Sequence, residues 1–198
     1  MMSEIKRCIW PGTDPLMIAY HDTEWGVPCY DDQKLFEYIV LDTFQAGLSW
    51  RIVLHKRASF AESFTNFNPR KVARFGAREI NRLVKDPSII RNRLKIKGTV
   101  KNARAFLKIQ KEFGSFAKYL WTFVKGRPIV HKHWRNSQIG TSNCESDALS
   151  HDLKQRGFTF VGTTICYAFM QGAGLINDHL TTCFRYAEVS LHTGKTTP

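Results

Sequence analysis

The stretch LDTFQAGLSW, residues 41 to 50, constrains the fold most, because it sets a carboxylate on the buried side of a helix. It follows the amphipathic run DDQKLFEYIVL, in which Leu35, Tyr38, Ile39 and Asp42 fall at i, i+3, i+4 and i+7. That spacing gathers side chains on one helical face. An unpaired carboxylate among apolar groups is so costly that it is normally paired, hydrogen-bonded or part of a site. Ala46 and Gly47 then end the helix, and Leu48 and Trp50 follow. A small-residue corner lets another backbone approach closely, and an acid behind it with an aromatic beyond suits a flat ring with a polar edge. A plainer arrangement also fits: Asp42 bonded to nearby backbone, with Trp50 as core.

Charge narrows the partner. Lys and Arg number 29 against 17 Asp and Glu in 198 residues, a net charge of +12, and this points to a polyanion. Aromatic residues make up 13% of the chain. Ring stacking combined with phosphate neutralisation is how flipped or single-stranded bases are held, so nucleic acid leads. The segment KDPSIIRNRLKIKGTVKNARAFLKIQK, residues 85 to 111, holds nine basic residues and one acid, or +8 of the +12. Its middle reads as helix, tight turn at Gly98, helix, with Lys97, Lys101, Arg104 and Lys108 on one exposed stripe and Val100, Ala103 and Leu107 facing the core. Backbone N–H groups at such a turn bind phosphate readily.

No run approaches the roughly 18 to 20 apolar residues that span a membrane, and MMSEIKRCIWPG lacks the apolar core of a secretory leader. A cytoplasmic, non-membrane protein is expected. The five cysteines are odd in number and widely spaced, which favours reduced thiols or metal ligands over a disulfide framework.

Helix signals dominate and strand signals are nearly absent, so an all-α chain is predicted. Asp14-Pro15, Asn68-Pro69 and Asp86-Pro87 each read as a cap followed by a first-turn proline. Ser146-Asp147 opens a helix closed by Gly157. Residues 126 to 147 read as loop, with His131 and His133 at the surface, and residues 187 to 198 as a loose tail. Near the C-terminus, Asn177 or Asp178 is predicted to cap a short helix carrying His179 and Cys183 one turn apart. With Cys8 and His21 these make a possible Cys2His2 zinc set; a core cysteine and a capped histidine fit the same residues.

The blocks AYHDTEWGVP, LDTFQAGLSW, IIRNRLKIKGTVKNARAFL, RGFTFVGTTICYAFMQGAGLINDH and HLTTCF, in that order over nearly the whole chain, resemble the bacterial 3-methyladenine DNA glycosylase I family. The resemblance implies an all-α helix-hairpin-helix glycosylase fold in one domain over residues 1 to 186, with the hairpin near 86–112. It also implies a zinc-binding lobe built from about 1–25 and 150–186, holding one structural zinc on Cys8, His21, His179 and Cys183, and no organic cofactor.

The implied activity is excision of 3-methyladenine from alkylated double-stranded DNA by base flipping, without strand cleavage, by a monomer at the bacterial nucleoid. Tyr20, Trp25 and Trp50, with Trp10 as a fourth, match aromatic positions of the family's base pocket. Gly47 and Leu48 match the corner that fills the gap left by the flipped nucleotide, and Gln45, Lys97, Gly98 and Lys101 are implied DNA contacts. The aspartate that most helix-hairpin-helix glycosylases carry after the hairpin is missing, since only Glu112 and Glu145 lie between Asp86 and Asp147, and Lys101 is not implied as a nucleophile. Asp42 stands where the family has glutamate, and Met17 where some relatives have a pocket tyrosine. The shorter acid leaves open a weakened, lesion-binding protein or a preference for another alkylpurine such as 3-methylguanine.

Overall fold

One helix, Asp32–Gln45 (α2), is so apolar that the rest of the chain wraps it: nine of its fourteen residues are buried, Asp42 among them. In the computed structural model, which describes residues 5–191, α2 packs against Trp50–His55 (α3), Arg93–Phe113 (α7), Phe116–Thr122 (α8) and Thr163–Gly172 (α10). Phe36, Phe44, Phe60, Phe64, Phe106 and Phe116 fill the spaces between these helices and are fully buried. The remaining helices are Pro15–Thr23 (α1), Arg57–Ser63 (α4), Pro69–Val72 (α5), Ala77–Lys85 (α6), Cys144–Gln155 (α9) and Phe184–Ser190 (α11). None of the described helices is long and apolar enough to cross a membrane.

Local chemistry sets most helix starts. Asp14 accepts from the N–H groups of Leu16 and Met17, Asp31 from Lys34, Asn68 from Lys71, and Asn92 from Leu94 and Lys95. The end of α2 is held from outside, by Lys95. Its buried ammonium donates to the carbonyls of Phe44, at 2.9 Å, and Ala46, satisfying acceptors that a helix end leaves orphaned. That pins the first turn of α7 against the corner after Asp42. Sequence patterning carries no sign of this lysine's special role.

The structure corrects several expectations. Asp86-Pro87 starts no helix; Asp86 ends α6, and its carboxylate accepts from Ser88 N–H at 2.9 Å. Lys97-Gly98-Thr99 is no turn, because α7 runs unbroken through it and the chain reverses instead over residues 86–92. Gly98 is there for packing: a Cβ would stand 2.8 Å from Thr159 Oγ1 and 3.0 Å from the Phe160 ring. The stripe of Lys97, Lys101, Arg104 and Lys108 is exposed as expected. Asn143, not Ser146, caps α9.

The chain is mostly helical, but two short parallel strands, Ile129–Val130 (β1) and Ile176–Asn177 (β2), pair in register. They bring the residue-131 loop onto the segment that carries His179. No helix holds His179 and Cys183. His179 lies just beyond β2, and Cys183 follows a turn and precedes α11. The expected tail is helical as far as Ser190, with Val189 buried, because α11 packs on β2; residues 192–198 of that tail lie outside the described residues.

Candidate active site

A cavity of about 310 Å³ opens beside the C-terminal turn of α2. It is lined by Asp42 and Gln45 of α2, by Tyr20 of α1, by Trp10, Trp25 and Trp50, and by Ala168 and Gln171 of α10. The rings pack against one another: Trp10 and Trp25 are 5.1 Å apart and T-shaped, and Tyr20 and Trp50 are 5.0 Å apart and tilted. All five residues expected at a base pocket (Asp42, Tyr20, Trp25, Trp50 and Trp10) therefore share one cavity. Gln45 lines it too. Gly47, at φ +78°, and Leu48, 40% exposed, form the corner between Gln45 and Trp50. Lys97 and Lys101 are exposed on α7, whereas Gly98 is buried within it. Met17 is buried outside the cavity lining.

Asp42 is 5% exposed, and its carboxylate has no hydrogen-bond partner among the described residues. On its far side Ile39, Leu153, Val161, Ile165, Cys166 and Phe169 line a small apolar gap. Burial alone pushes the carboxyl well above the usual carboxylate range. Burial, and then the nearby Asp42, likewise keep the Tyr20 phenol protonated. Two buried indole donors, Trp10 Nε1 and Trp50 Nε1, also lack partners. Buried polar groups are nearly always satisfied, so an unpaired acid and two orphaned donors in the walls of one ring-lined space set this region apart from plain core.

Sequence reasoning missed part of the wall. Asn136, Ile139, Gly140 and Thr141, from the loop before α9, line the cavity, as do Ala168 and Gln171. Nothing periodic marks these positions; the pairing of β1 with β2 carries the loop there.

Behind the rings, Cys8, His21, His179 and Cys183 form a buried cluster whose ligand atoms lie within 4.8 Å of one another and are able to hold a metal ion. Sulfur–nitrogen distances are 3.7 Å for Cys8–His179, 3.5 Å for Cys183–His21 and 3.6 Å for Cys183–His179. A tetrahedron with metal–sulfur bonds of about 2.3 Å and metal–nitrogen bonds of about 2.0–2.1 Å has sulfur–nitrogen edges of about 3.5 Å. The imidazoles are set by their outer nitrogens. His179 Nε2 lies 3.0 Å from the Trp25 carbonyl, which only accepts, so Nδ1 carries the lone pair. His21 Nδ1 lies 2.7 Å from Asp22, which Arg7 holds in turn, leaving Nε2 toward Cys183. The Cys8 thiol facing Cys183 draws the Cys183 pKa down against burial, with His179 and His21 adding to it; thiolate is the metal-binding form.

His131 and His133 are not free surface groups. Both reach Asp178 Oδ1, at 2.6 and 3.1 Å, while Tyr167 and Gln171 donate to Oδ2 at 2.7 and 2.6 Å. Burial opposes ionisation of Asp178, but these bonds outweigh it and hold the group below the usual range.

Comparison with known proteins gives the context. The family model described as methyladenine glycosylase matches residues 10–186. DNA-3-methyladenine glycosylase 1 of Escherichia coli is 50% identical over 182 residues, covering 92% of this chain and 97% of its own. DNA-3-methyladenine glycosylase of Haemophilus influenzae is 46% identical over 177 residues, covering 89% and 96%. The Staphylococcus aureus 3-methyladenine DNA glycosylase I, whose structure was solved to explain 3-methyladenine recognition, superposes with a TM-score of 0.88 at 38% identity, covering 91% of this chain and 96% of that one.

The buried acid has a measurable signature. Between the ordinary carboxylate pKa and the raised value of Asp42, the folded chain binds more protons than the unfolded one, so stability falls as pH rises through that window. Asparagine escapes that loss. Asp42→Asn is predicted to melt above the wild type at pH 7, by about 2–4 °C for each kcal/mol relieved, with the gap closing below about pH 4. Equal melting curves at pH 7 would contradict this reading of the site.

Proposed function

The chain belongs to the methyladenine glycosylase family, and on that footing we propose how its cavity carries out the reaction. The protein is a DNA-3-methyladenine glycosylase that acts in repair of alkylated DNA. The observation that carries the mechanism is Asp42: a buried acid without a protein partner, at the wall of a ring-lined cavity.

Alkylation at N3 makes the base cationic, so the glycosidic bond already has a good leaving group and little acid–base machinery is needed. The enzyme's work is to take the nucleotide out of the stack, at a cost of a few kcal/mol, and to favour the transition state over the stacked ground state. Trp50, Tyr20, Trp25 and Trp10 supply ring contacts, each base–aromatic stack being worth about 1–3 kcal/mol, with a cation–π contribution from the charged base. Asp42 takes the polar edge of that base. A cationic guest returns to the acid the counter-charge that burial denies it, so binding and ionisation of Asp42 support each other. Leu48, exposed at the Gly47 corner, fills the gap in the duplex, with Gln45 at the mouth.

Lys97 and Lys101 meet phosphates from the exposed face of α7; Gly98, buried in the helix, is not part of that contact. The fold is read as helix-hairpin-helix, with α6, residues 86–92 and α7 as the hairpin. Double-stranded DNA is the substrate and a single chain the active unit in this reading. Water completes the hydrolysis, and the strand is left intact.

The Cys8, His21, His179 and Cys183 cluster is a structural zinc site in this reading. The sulfur–nitrogen distances and the fixed imidazole lone pairs support it. Bound there, zinc supplies a cross-link between the two ends of the chain and no chemistry at the base. His179 anchors the carbonyl of Trp25, and His21 follows Tyr20 in α1, so the cluster steadies two walls of the cavity.

Two measurements test this. Alkylated duplex incubated with the protein should yield free 3-methyladenine while the phosphodiester backbone stays whole; tight binding without release would instead mark a lesion-binding protein. Metal analysis should find about one zinc per chain, lost in Cys183→Ser together with a clear drop in melting temperature. A wild type that is fully folded without metal would refute the zinc assignment.

A further inference from the structure

The structure assigns Gln171 as a determinant of specificity, its side-chain oxygen taking the exocyclic amino group of an adenine-type base and turning away guanine-type lesions. This rests on the function proposed above.

Gln171 lines the cavity from the last turn of α10. An amide flips freely between two nearly identical shapes, and the hydrogen-bond network decides which is present. Here the decision is firm. Asp178 is fully buried, its Oδ1 faces the rings of His131 and His133 and its Oδ2 accepts from the Tyr167 hydroxyl, so the atom 2.6 Å from Oδ2 is the Gln171 amide nitrogen. Its carbonyl oxygen Oε1 has no hydrogen-bond partner among the described residues. The nitrogen is spent on Asp178, and the oxygen is left without a protein partner on a residue that lines the cavity.

The backbone of Gln171 is pinned as well: its carbonyl accepts from the N–H groups of Gly26, at 3.0 Å, and Gly174, at 3.2 Å. Immediately after it, Gly172 gives room to Tyr20, whose hydroxyl would lie 3.0 Å from a Cβ at that position. Tyr20 lines the same cavity as Asp42. Helix α10 and helix α2 thus bring two residues whose side-chain oxygens lack a protein partner, Gln171 and Asp42, to one cavity.

Base chemistry turns this into discrimination. Alkylation at N3 leaves both adenine and guanine cationic in DNA, so the charge of Asp42 favours both. Their polar edges differ: adenine carries a donating amino group where guanine carries an accepting carbonyl oxygen. Two acceptors match the two hydrogens of the amino group. Against a carbonyl, Gln171 Oε1 would be an unpaired acceptor facing another acceptor, and sites built to bond one partner reject the analogue lacking it. His131 and His133 act at a distance, since their ring nitrogens fix the position of the Asp178 carboxylate that the Gln171 amide meets.

The test is single-turnover release of 3-methyladenine and 3-methylguanine from one methylated duplex containing both. The wild type is predicted to prefer 3-methyladenine. Gln171→Met, which removes the acceptor at similar length, should lower that preference about tenfold, and Gln171→Leu should do the same where methionine disturbs folding. Gln171→Glu, which keeps an oxygen at the cavity, should retain the preference. A preference unchanged in Gln171→Met and Gln171→Leu overturns the assignment and leaves the proposed function standing. The same holds for a loss of both releases by one factor, which marks a merely structural role. A wild type that releases neither base overturns the proposed function, and this inference with it.

Discussion

A carboxylate held without a partner at the end of a buried helix is the constraint to which the rest of the molecule answers. Helix α2 is covered on most sides, by α3, α7, α8 and α10, and its apolar face alone would close the core. Asp42 interrupts that face at the last full turn. The chain tolerates the cost because the helix end is fixed from outside: Lys95 holds the carbonyls of Phe44 and Ala46, so α2 does not unwind to let the acid reach water. In the proposed reading, stability is spent at one position to keep an acceptor that becomes charged when a cation arrives, the usual trade of stability for function at a binding site.

The aromatic walls depend on a second restraint far away in sequence. Residues near both ends meet in the Cys8, His21, His179 and Cys183 cluster, and Phe184 N–H reaches the Lys6 carbonyl at 3.0 Å beside it. Through the Trp25 carbonyl and the neighbours Tyr20 and His21, that junction touches the cavity directly. Ring positions at a flipped-base site must hold to within a fraction of an ångström for stacking to favour one state. In the proposed reading, a metal bridging this cluster provides it where short, loop-rich ends do not.

Much of this was legible in sequence where local chemistry governs it. The i, i+3, i+4, i+7 spacing placed Asp42 with Leu35, Tyr38 and Ile39 inside, the Asp14-Pro15 and Asn68-Pro69 pairs start helices, and the basic stripe of α7 faces out. What failed was local reading of tertiary causes. Gly98 looks like a turn residue, yet it is small because Thr159 and Phe160 press against it. His179 and Cys183 carry helical spacing, yet a strand and a turn bring them together. His131 and His133 read as surface because their partner, Asp178, is distant in sequence and arrives only through the parallel strand pair. The cavity wall from Asn136 to Thr141 is invisible for the same reason.

The central claim is that Asp42, shorter by one methylene than the glutamate of the resembled family, still recognises the base. Single-turnover release of 3-methyladenine by the wild type, Asp42→Asn and Asp42→Glu tests it most directly. The account predicts rapid release by the wild type and a fall of about a hundredfold or more in Asp42→Asn, the scale of losing one preorganised electrostatic contact, with Asp42→Glu active. Release by Asp42→Asn at the wild-type rate would contradict it.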